Sequence, residues 1–233
     1  VALGVKRENI LMCDSQGIMT KKRLDLGELN EYKAQFAVDM AGGNLADALV
    51  GADVFLGLSK GGLVTGDMVA KMAPKPIIFA LANPTPEIMP SEVKAVREDA
   101  IIATGRSDFP NQVNNVLGFP YIFRGALDVR ARDITQGMKM AATKALAKLA
   151  KEPVPDYIAH AYSGESMQYG PDYIIPKPFD RRVLIWEAAD VAEAAVHEGV
   201  AAVSPEDFDK QAYRESLEAR LGMSYSVMRG VFN

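Results

Sequence analysis

The chain has 233 residues, of which 48% are hydrophobic and 24% charged, an ordinary composition for a globular protein of one large domain or two small ones. Its net charge of −4 argues against nucleic-acid binding, and no apolar run approaches the roughly 18 residues that would span a membrane. A single cysteine, Cys13, excludes an intramolecular disulfide framework and favours a reducing, cytoplasmic compartment.

The first residues carry neither an initiator methionine nor a targeting signal, so we expect the chain to begin partway through a longer protein. An apolar run at residues 10–14 ends in an acid and is typical of a strand. A basic cluster at residues 21–23 is expected to be solvated. Apolar residues at three- and four-residue steps then predict a helix over residues 28–39, and Asn44 is predicted to cap another that reaches residue 50.

Three further apolar runs, at residues 53–59, 76–82 and 100–104, predict strands. The segments between them are predicted helices, capped by Thr65 and by Ser91. Strands without polar alternation, separated by helices, indicate a parallel sheet that is covered on both faces. We therefore predict an α/β protein with a doubly wound parallel sheet, in which residues 10–14 supply a fourth strand.

The second half of the sequence is mostly helical by its apolar periodicity. An apolar helix over residues 119–130 is expected to be buried. The further elements predicted here are a helix over 136–149, an extended Pro-rich stretch over 170–180, a helix over 182–198, a helix from Ser204 to about Leu221, and a tail or linker at 223–233.

In an open parallel sheet, ligands bind beyond the carboxyl ends of the strands, so polar residues that follow the apolar runs are the candidates. Asp14 could accept hydrogen bonds from both ribose hydroxyls of a dinucleotide, although the usual G-x-G-x-x-G motif is absent and a turn acid is the alternative. Ser59 is followed by Lys60 and then by Gly61 and Gly62, which let the backbone approach a ligand or simply form a tight turn.

Three asparagines are the remaining candidates. Asn83 is held by a proline-stiffened turn, where its amide can both donate and accept; an Asx turn is the alternative. Asn114 and Asn115 precede the apolar helix and could be a helix cap alone. Arg106 and Arg124 could pair with a carboxylate substrate, but ion pairs within the protein are the commoner arrangement.

The order of these motifs resembles the C-terminal, dinucleotide-binding domain of bacterial malic enzymes over residues 3–222. The stretches that carry the resemblance are Cys-Asp-Ser-Gln-Gly at 13–17, Asp-Val-Phe-Leu-Gly-Leu-Ser at 53–59, Phe-Ala-Leu-Ala-Asn-Pro-Thr at 79–85, Ala-Thr-Gly-Arg-Ser-Asp-Phe-Pro-Asn-Gln-Val-Asn-Asn-Val at 103–116, and Gly-Phe-Pro-Tyr-Ile-Phe-Arg-Gly-Ala at 118–126. The tail resembles the join to the phosphotransacetylase-like domain of the large hybrid members.

The resemblance implies oxidative decarboxylation of malate to pyruvate and CO2 with reduction of NADP or NAD. It matches Asp14 to the acid on the adenosine ribose and Ser15 to a residue beside the 2′-position. Asn83 matches an asparagine near nicotinamide and substrate, while Asn114 and Asn115 match the pair that contacts malate and the nicotinamide ribose. Together with Ser59, these residues are the expected binding set.

The same resemblance implies what this chain lacks. In the family, the general acid, the general base and the carboxylates that bind Mg²⁺ or Mn²⁺ lie upstream of the Gly-rich motif, so we expect an N-terminally incomplete Rossmann sheet with no catalytic residue or metal ligand. The metal would hold the oxaloacetate carbonyl while CO2 departs. We also expect a homo-oligomer.

Three questions stay open at this point. Ser15 slightly favours NADP, but Gln16 stands where NADP-preferring relatives often have lysine, and any of Lys21, Lys22 or Arg23 could meet a 2′-phosphate. The chain could also be a folded but inactive fragment. A third hypothesis is another Rossmann-type dehydrogenase, for instance one acting on amino acids.

Overall fold

The computed structural model describes residues 1–162 and 167–231, in two compact units, Val1–Ile102 and Ala103–Asn233. The elements of the first unit, in chain order, are strands β1 (Cys13–Asp14) and β2 (Gly17–Ile18), helices α1 (Lys21–Asp25), α2 (Glu31–Ala34) and α3 (Leu45–Leu49), strand β3 (Val54–Gly57), helix α4 (Gly66–Ala70), strand β4 (Ile77–Ala80), helix α5 (Pro90–Val96) and the start of strand β5 (Ile101–Thr104).

A three-stranded sheet in the order β3-β4-β5 is the framework of this unit, and β3 and β4 run parallel. Phe55 and Ile78 of this sheet pack with apolar residues of α3, α4 and α5 in one core. The predicted α/β class is thus confirmed. In and just after β3, Val54, Leu56 and Leu58 are more than half exposed, because the helices of this unit pack on the opposite face of the strand.

The predicted fourth parallel strand is wrong. In residues 10–14 only Cys13–Asp14 is a strand, and it pairs antiparallel with Gly17–Ile18 instead of joining the sheet. The reason is a tight turn after Asp14. The Asp14 carboxylate accepts a hydrogen bond from the Gln16 N–H at 3.0 Å, and Gly17 completes the turn with a φ of 104°.

Side-chain caps decide where the short helices begin. Asn44 and Thr65 cap α3 and α4 as predicted. The helix predicted over residues 28–39 is shorter, since Asn30 caps α2 and the chain then returns so that the Val38 N–H donates to the Met19 carbonyl at 3.0 Å. The cap predicted at Ser91 is wrong, because α5 already begins at a proline, which suits the first helical position.

The second unit is helical beyond the end of β5. Its helices are α6 (Phe119–Asp128), α7 (Gln136–Leu149), α8 (Asp156–Ala161), α9 (Arg182–His197) and α10 (Lys210–Val231). Helices α6 and α7 pack on α9, whose buried face is rich in alanine. At Gly125 of α6 the fit is close: a Cβ there would lie 2.4 Å from the Ala188 carbonyl oxygen.

Two predictions for this unit need correction. Helix α6 is not fully buried, because Phe119 and Leu127 are 65% and 63% exposed. The final helix starts not at Ser204 but at Lys210, where Asp209 accepts backbone N–H bonds from the first turn, and it runs to Val231. Among the described residues, no helix is long and apolar enough to cross a membrane.

Candidate functional site

The loops that follow β3 and β4 are joined by one buried carboxylate, Glu87. Its Oε1 accepts from the Ser59 N–H at 3.0 Å, and its Oε2 accepts from the Ala82 N–H at 3.1 Å. The side chain is 1% exposed, and a Cβ at Gly57 would lie 2.4 Å from its carboxyl carbon. Because both loops bond to the same rigid group, Glu87 fixes the spacing of the strand ends from which Ser59 and Asn83 project.

The glycines after Ser59 serve this same contact. A Cβ at Gly61 would lie 2.6 Å from the Thr85 carbonyl oxygen, so the two loops could not approach with any larger residue there. The Gly62 N–H donates to the Pro86 carbonyl at 3.1 Å, and Gly62 has a φ of 72°. The sequence predicts a close approach of the backbone at these glycines. At Gly61 this approach is between the loop after β3 and the loop after β4.

Asn83 lies exposed on the loop after β4, and its peptide bond to Pro84 is cis. Its Nδ2 donates to the Leu81 carbonyl at 3.2 Å. This contact is local, but it is not an Asx turn, in which the amide oxygen accepts from a following backbone N–H. In the described part of the chain, the amide oxygen and the second N–H make no hydrogen bond, and both lie on the exposed loop. Ser59 is exposed on the neighbouring loop. The parallel pairing of β3 with β4 thus brings these two candidates to one edge of the sheet.

Asp14 is held by two cations, which the sequence did not lead us to expect. Its carboxylate accepts from Arg23 Nη1 at 3.0 Å and Nη2 at 3.2 Å, and from Lys33 Nζ at 2.8 Å. The hydrogen bonds from Arg23 and Lys33 hold the pKa of Asp14 well below its usual range. With Gln16, four donors use about all the acceptor sites of a carboxylate, so a ribose hydroxyl must displace one of them.

The basic cluster at residues 21–23 therefore separates into different environments. Arg23 is not solvated as predicted: its side chain is 14% exposed, and besides Asp14 it pairs with Glu28 at 3.0 Å. Lys21 pairs with Asp39 at 3.1 Å at the surface, and Lys22 is exposed. Ser15, beside this network, is also exposed. Of the three cations that the sequence offered for a 2′-phosphate, only Arg23 lies at Asp14.

In the second unit, Asn114 and Asn115 have different surroundings although they are adjacent. Asn114 caps a 3₁₀ turn (Asn115–Leu117): its Oδ1 accepts from the Val116 N–H at 3.0 Å, and its Nδ2 donates to the Gly105 carbonyl at 3.2 Å. Asn115 is exposed and lines an open surface depression of about 490 Å³ with Phe119. Within residues 1–162 and 167–231 the Asn115 amide has no hydrogen-bond partner, so it is available to a ligand.

The two candidate arginines form ion pairs, as the commoner arrangement predicts. Arg106 bonds to Asp108 at 2.7 Å, and Arg124 to Asp128 at 2.7 Å. No group of three histidine, cysteine, aspartate or glutamate side chains in the described part of the chain could hold a metal ion. The described residues therefore do not fit Mg²⁺ or Mn²⁺, and we derive no step through a metal.

Comparison with known proteins identifies relatives of the whole chain. The family model for the malic enzyme NAD-binding domain matches residues 4–158. An NADP-dependent malic enzyme of Rhizobium meliloti is 55% identical over 94% of this chain and 28% of its own length. An NAD-dependent malic enzyme of the same organism is 53% identical over 100% of this chain and 30% of its own length. The chain thus spans less than a third of these relatives.

A solved structure agrees with these relatives. The crystal structure of Entamoeba histolytica malic enzyme matches with a TM-score of 0.81 at 37% identity, covering 98% of this chain and 45% of that one. The α/β architecture described above is thus that of the matching part of a malic enzyme.

Proposed function

The chain belongs to the malic enzyme family, as its NAD-binding domain, and from this premise we propose that it is the cofactor-binding portion of an enzyme that converts malate to pyruvate and CO2. The observation that carries the proposal is the match of the family model to residues 4–158. The bound dinucleotide would accept the hydride that leaves C2 of malate. The chain's own contribution would be to orient nicotinamide and substrate.

The residues of this contribution follow from their exposure and free hydrogen-bonding groups. We propose that Asn83 and Ser59, on loops fixed by Glu87, contact the nicotinamide end of the dinucleotide. The free amide of Asn115 would bind malate, with its orientation set by Asn114. Amide groups suit both tasks, because they donate to carboxylate oxygens and accept from hydroxyls.

The full-length protein is expected to reduce the dinucleotide only when malate is supplied. The measurement is absorbance at 340 nm with Mg²⁺ or Mn²⁺, with release of CO2 equal to the reduced nucleotide formed. An equal concentration of an amino acid in place of malate is the control. Reduction with the amino acid and none with malate would identify a different dehydrogenase, whereas no reduction with either would leave a folded but inactive protein.

We further propose that NADP is preferred to NAD, and that Lys33 and Arg23 are the reason. A 2′-phosphate beside a carboxylate is repelled unless cations lie between them, and Asp14 holds both cations in place. The Lys33 ammonium donates one hydrogen bond to Asp14, and its other two N–H groups can donate to a phosphate. Lys33 is also 37% exposed, so it can meet a ligand from solvent.

Lys33→Gln is accordingly expected to weaken binding of NADP about tenfold, the loss of roughly 1.4 kcal/mol for one charge-assisted hydrogen bond. The dissociation constant for NAD should change less than twofold. Isothermal titration calorimetry with each of the two nucleotides measures the two constants. Lys22→Gln, an exposed lysine on the neighbouring helix, is the matched control. Equal weakening of NAD and NADP would contradict the assignment.

The family resemblance also implies a divalent metal, a homo-oligomer and a cytoplasmic protein, and we propose all three for the full-length protein. Support for the compartment comes from Cys13, whose thiol is free. The metal would need ligands beyond those that the described residues offer.

A further inference from the structure

The Pro-rich stretch that follows α8 bonds directly to the chain segment that leads into Asn114. Asn111 is 1% exposed, and its side chain makes both contacts. Its Nδ2 donates to the Pro171 carbonyl at 2.7 Å, and its Oδ1 accepts from the Ile174 N–H at 3.0 Å. One buried amide thus joins two segments that are 60 residues or more apart in the chain.

A second buried side chain of the same stretch reinforces this junction. Lys177 is 8% exposed, and its Nζ donates to the Pro110 carbonyl, beside Asn111. The ammonium also lies 5.1 Å from the centre of the Tyr162 ring, a distance at which a cation is attracted to the aromatic face. Two consecutive residues, Pro110 and Asn111, are therefore tied to the Pro-rich stretch.

The stretch can hold Asn111 still because it is closed by a turn near its start and anchored at its end. In the turn, Gly170 and Tyr173 exchange backbone hydrogen bonds of 3.3 and 3.0 Å. At the end, Asp180 is fully buried, accepts from Arg182 Nη2 at 2.7 Å, and accepts from the Tyr157 hydroxyl of α8 at 3.3 Å. Prolines between these points remove backbone freedom. A stiff segment that is anchored in this way restrains the position of Asn111, to which it is hydrogen-bonded.

Backbone hydrogen bonds connect Asn111 to the segment that holds Asn114 and Asn115. The Thr104 N–H donates to the Asn111 carbonyl at 3.1 Å, and the Val113 N–H donates back to the Thr104 carbonyl at 2.8 Å. Asn114 then bonds to the Gly105 carbonyl. Residues 111–114 are thus fastened both to the end of β5 and to the Pro-rich stretch, and Asn115 follows directly.

We propose that residues 170–180 are a brace that sets the orientation of Asn114 and Asn115 toward malate, with Asn111 as the positioning residue. The inference rests on the proposed function, since it assigns these asparagines to substrate. Asn111 does not touch malate; it acts through the turn that it supports.

Asn111→Asp in the full-length protein is the first test. The aspartate keeps the size of the side chain and can still accept from Ile174, but it cannot donate to the Pro171 carbonyl and faces it with a second oxygen. The KM for malate is expected to rise about tenfold, with the dissociation constant for NADP unchanged within twofold. Gln112→Glu, the same chemical change one residue away, is the matched control and should alter neither.

Hydrogen exchange tests the brace without activity. In Asn111→Asp, the amides of Val116 and Leu117, which both bond to Asn114, should exchange at least tenfold faster than in Gln112→Glu. Lys177→Met is a second variant, expected to raise the KM for malate in the same direction. A lower melting temperature with an unchanged KM for malate in both variants would overturn the inference, because it would show a structural role alone.

Asn115→Ala separates the two proposals. If that variant impairs malate turnover while Asn111→Asp and Lys177→Met leave the KM for malate and the exchange rates unchanged, the brace is wrong and the substrate site stands. If Asn115→Ala has no effect on malate turnover, the substrate site is wrong and the brace has no substrate group to position.

Discussion

Asn115→Ala is expected to lower kcat/KM for malate about 100-fold in the full-length protein, while its melting temperature stays unchanged. Loss of one donor aimed at a reacting or carboxylate oxygen in a closed site has an effect of this order. The side chain of Asn115 makes no hydrogen bond within the described part of the chain, so its removal exposes no orphaned partner. Its backbone carbonyl still accepts from the Gly118 N–H at 3.1 Å.

The neighbouring asparagine provides the contrast that makes this prediction sharp. Asn114→Ala removes the cap of the 3₁₀ turn and the bond to the Gly105 carbonyl, so it should destabilise the protein by about 1 kcal/mol as well as impair turnover. Initial rates at 340 nm and thermal melting of the two variants measure both effects. Retention of kcat/KM within threefold in Asn115→Ala would remove Asn115 from the substrate site.

Local chemistry explains which parts of the fold were predictable. Strands β3, β4 and β5 were predictable because each lies in an apolar run. The helix starts at Asn44 and Thr65 were predictable because a capping side chain bonds to an N–H within three residues. The run at residues 10–14 is also apolar, but the prediction that it joins the parallel sheet was wrong. Whether a run joins a sheet depends on a partner strand, and no local pattern reports that partner.

The candidate site divides in the same way. Ser59 and Asn83 follow apolar runs, so a parallel sheet brings them to one edge, as predicted. Glu87 was missed because its partners are backbone N–H groups, one of them 28 residues away. Lys33 was missed because the hairpin and the short α2 bring it to Asp14 from 19 residues away. The sequence offered one signal for the burial of Glu87, namely its position next to the apolar residue Ile88.

A second buried acid, Glu187, lies in the apolar face of α9. It stands four residues from Val183 and from Val191, both fully buried, so the helical period alone places it in the core. Its side chain is 0% exposed, and neither carboxylate oxygen has a hydrogen-bond partner in the described residues. Burial without a partner raises the pKa of Glu187 to about 8.

This pKa makes the stability of the protein depend on pH. The folded state holds a proton on Glu187 up to about pH 8, whereas the unfolded chain releases it near the ordinary glutamate value of 4.5. Stability is therefore undiminished by this group below about pH 4.5 and falls as the pH rises toward 8. A shift of this size corresponds to a loss of about 3 kcal/mol by pH 7 and about 5 kcal/mol at most.

Glu187→Met is expected to raise the free energy of unfolding by about 3 kcal/mol at pH 7 and by much less at pH 5. The thioether side chain has a similar length and fills the same space beside Gly118 and Tyr121 without a charge. Urea unfolding at the two pH values measures the difference, and Glu152→Met, at an exposed glutamate, is the control.

Glu187→Gln separates the charge from the packing. It removes the ionisation but leaves a buried amide, so it should abolish the pH dependence while gaining less stability than methionine. An equal gain at pH 5 and pH 7 for Glu187→Met would mean that the carboxyl is ionised throughout or finds a partner in the protein.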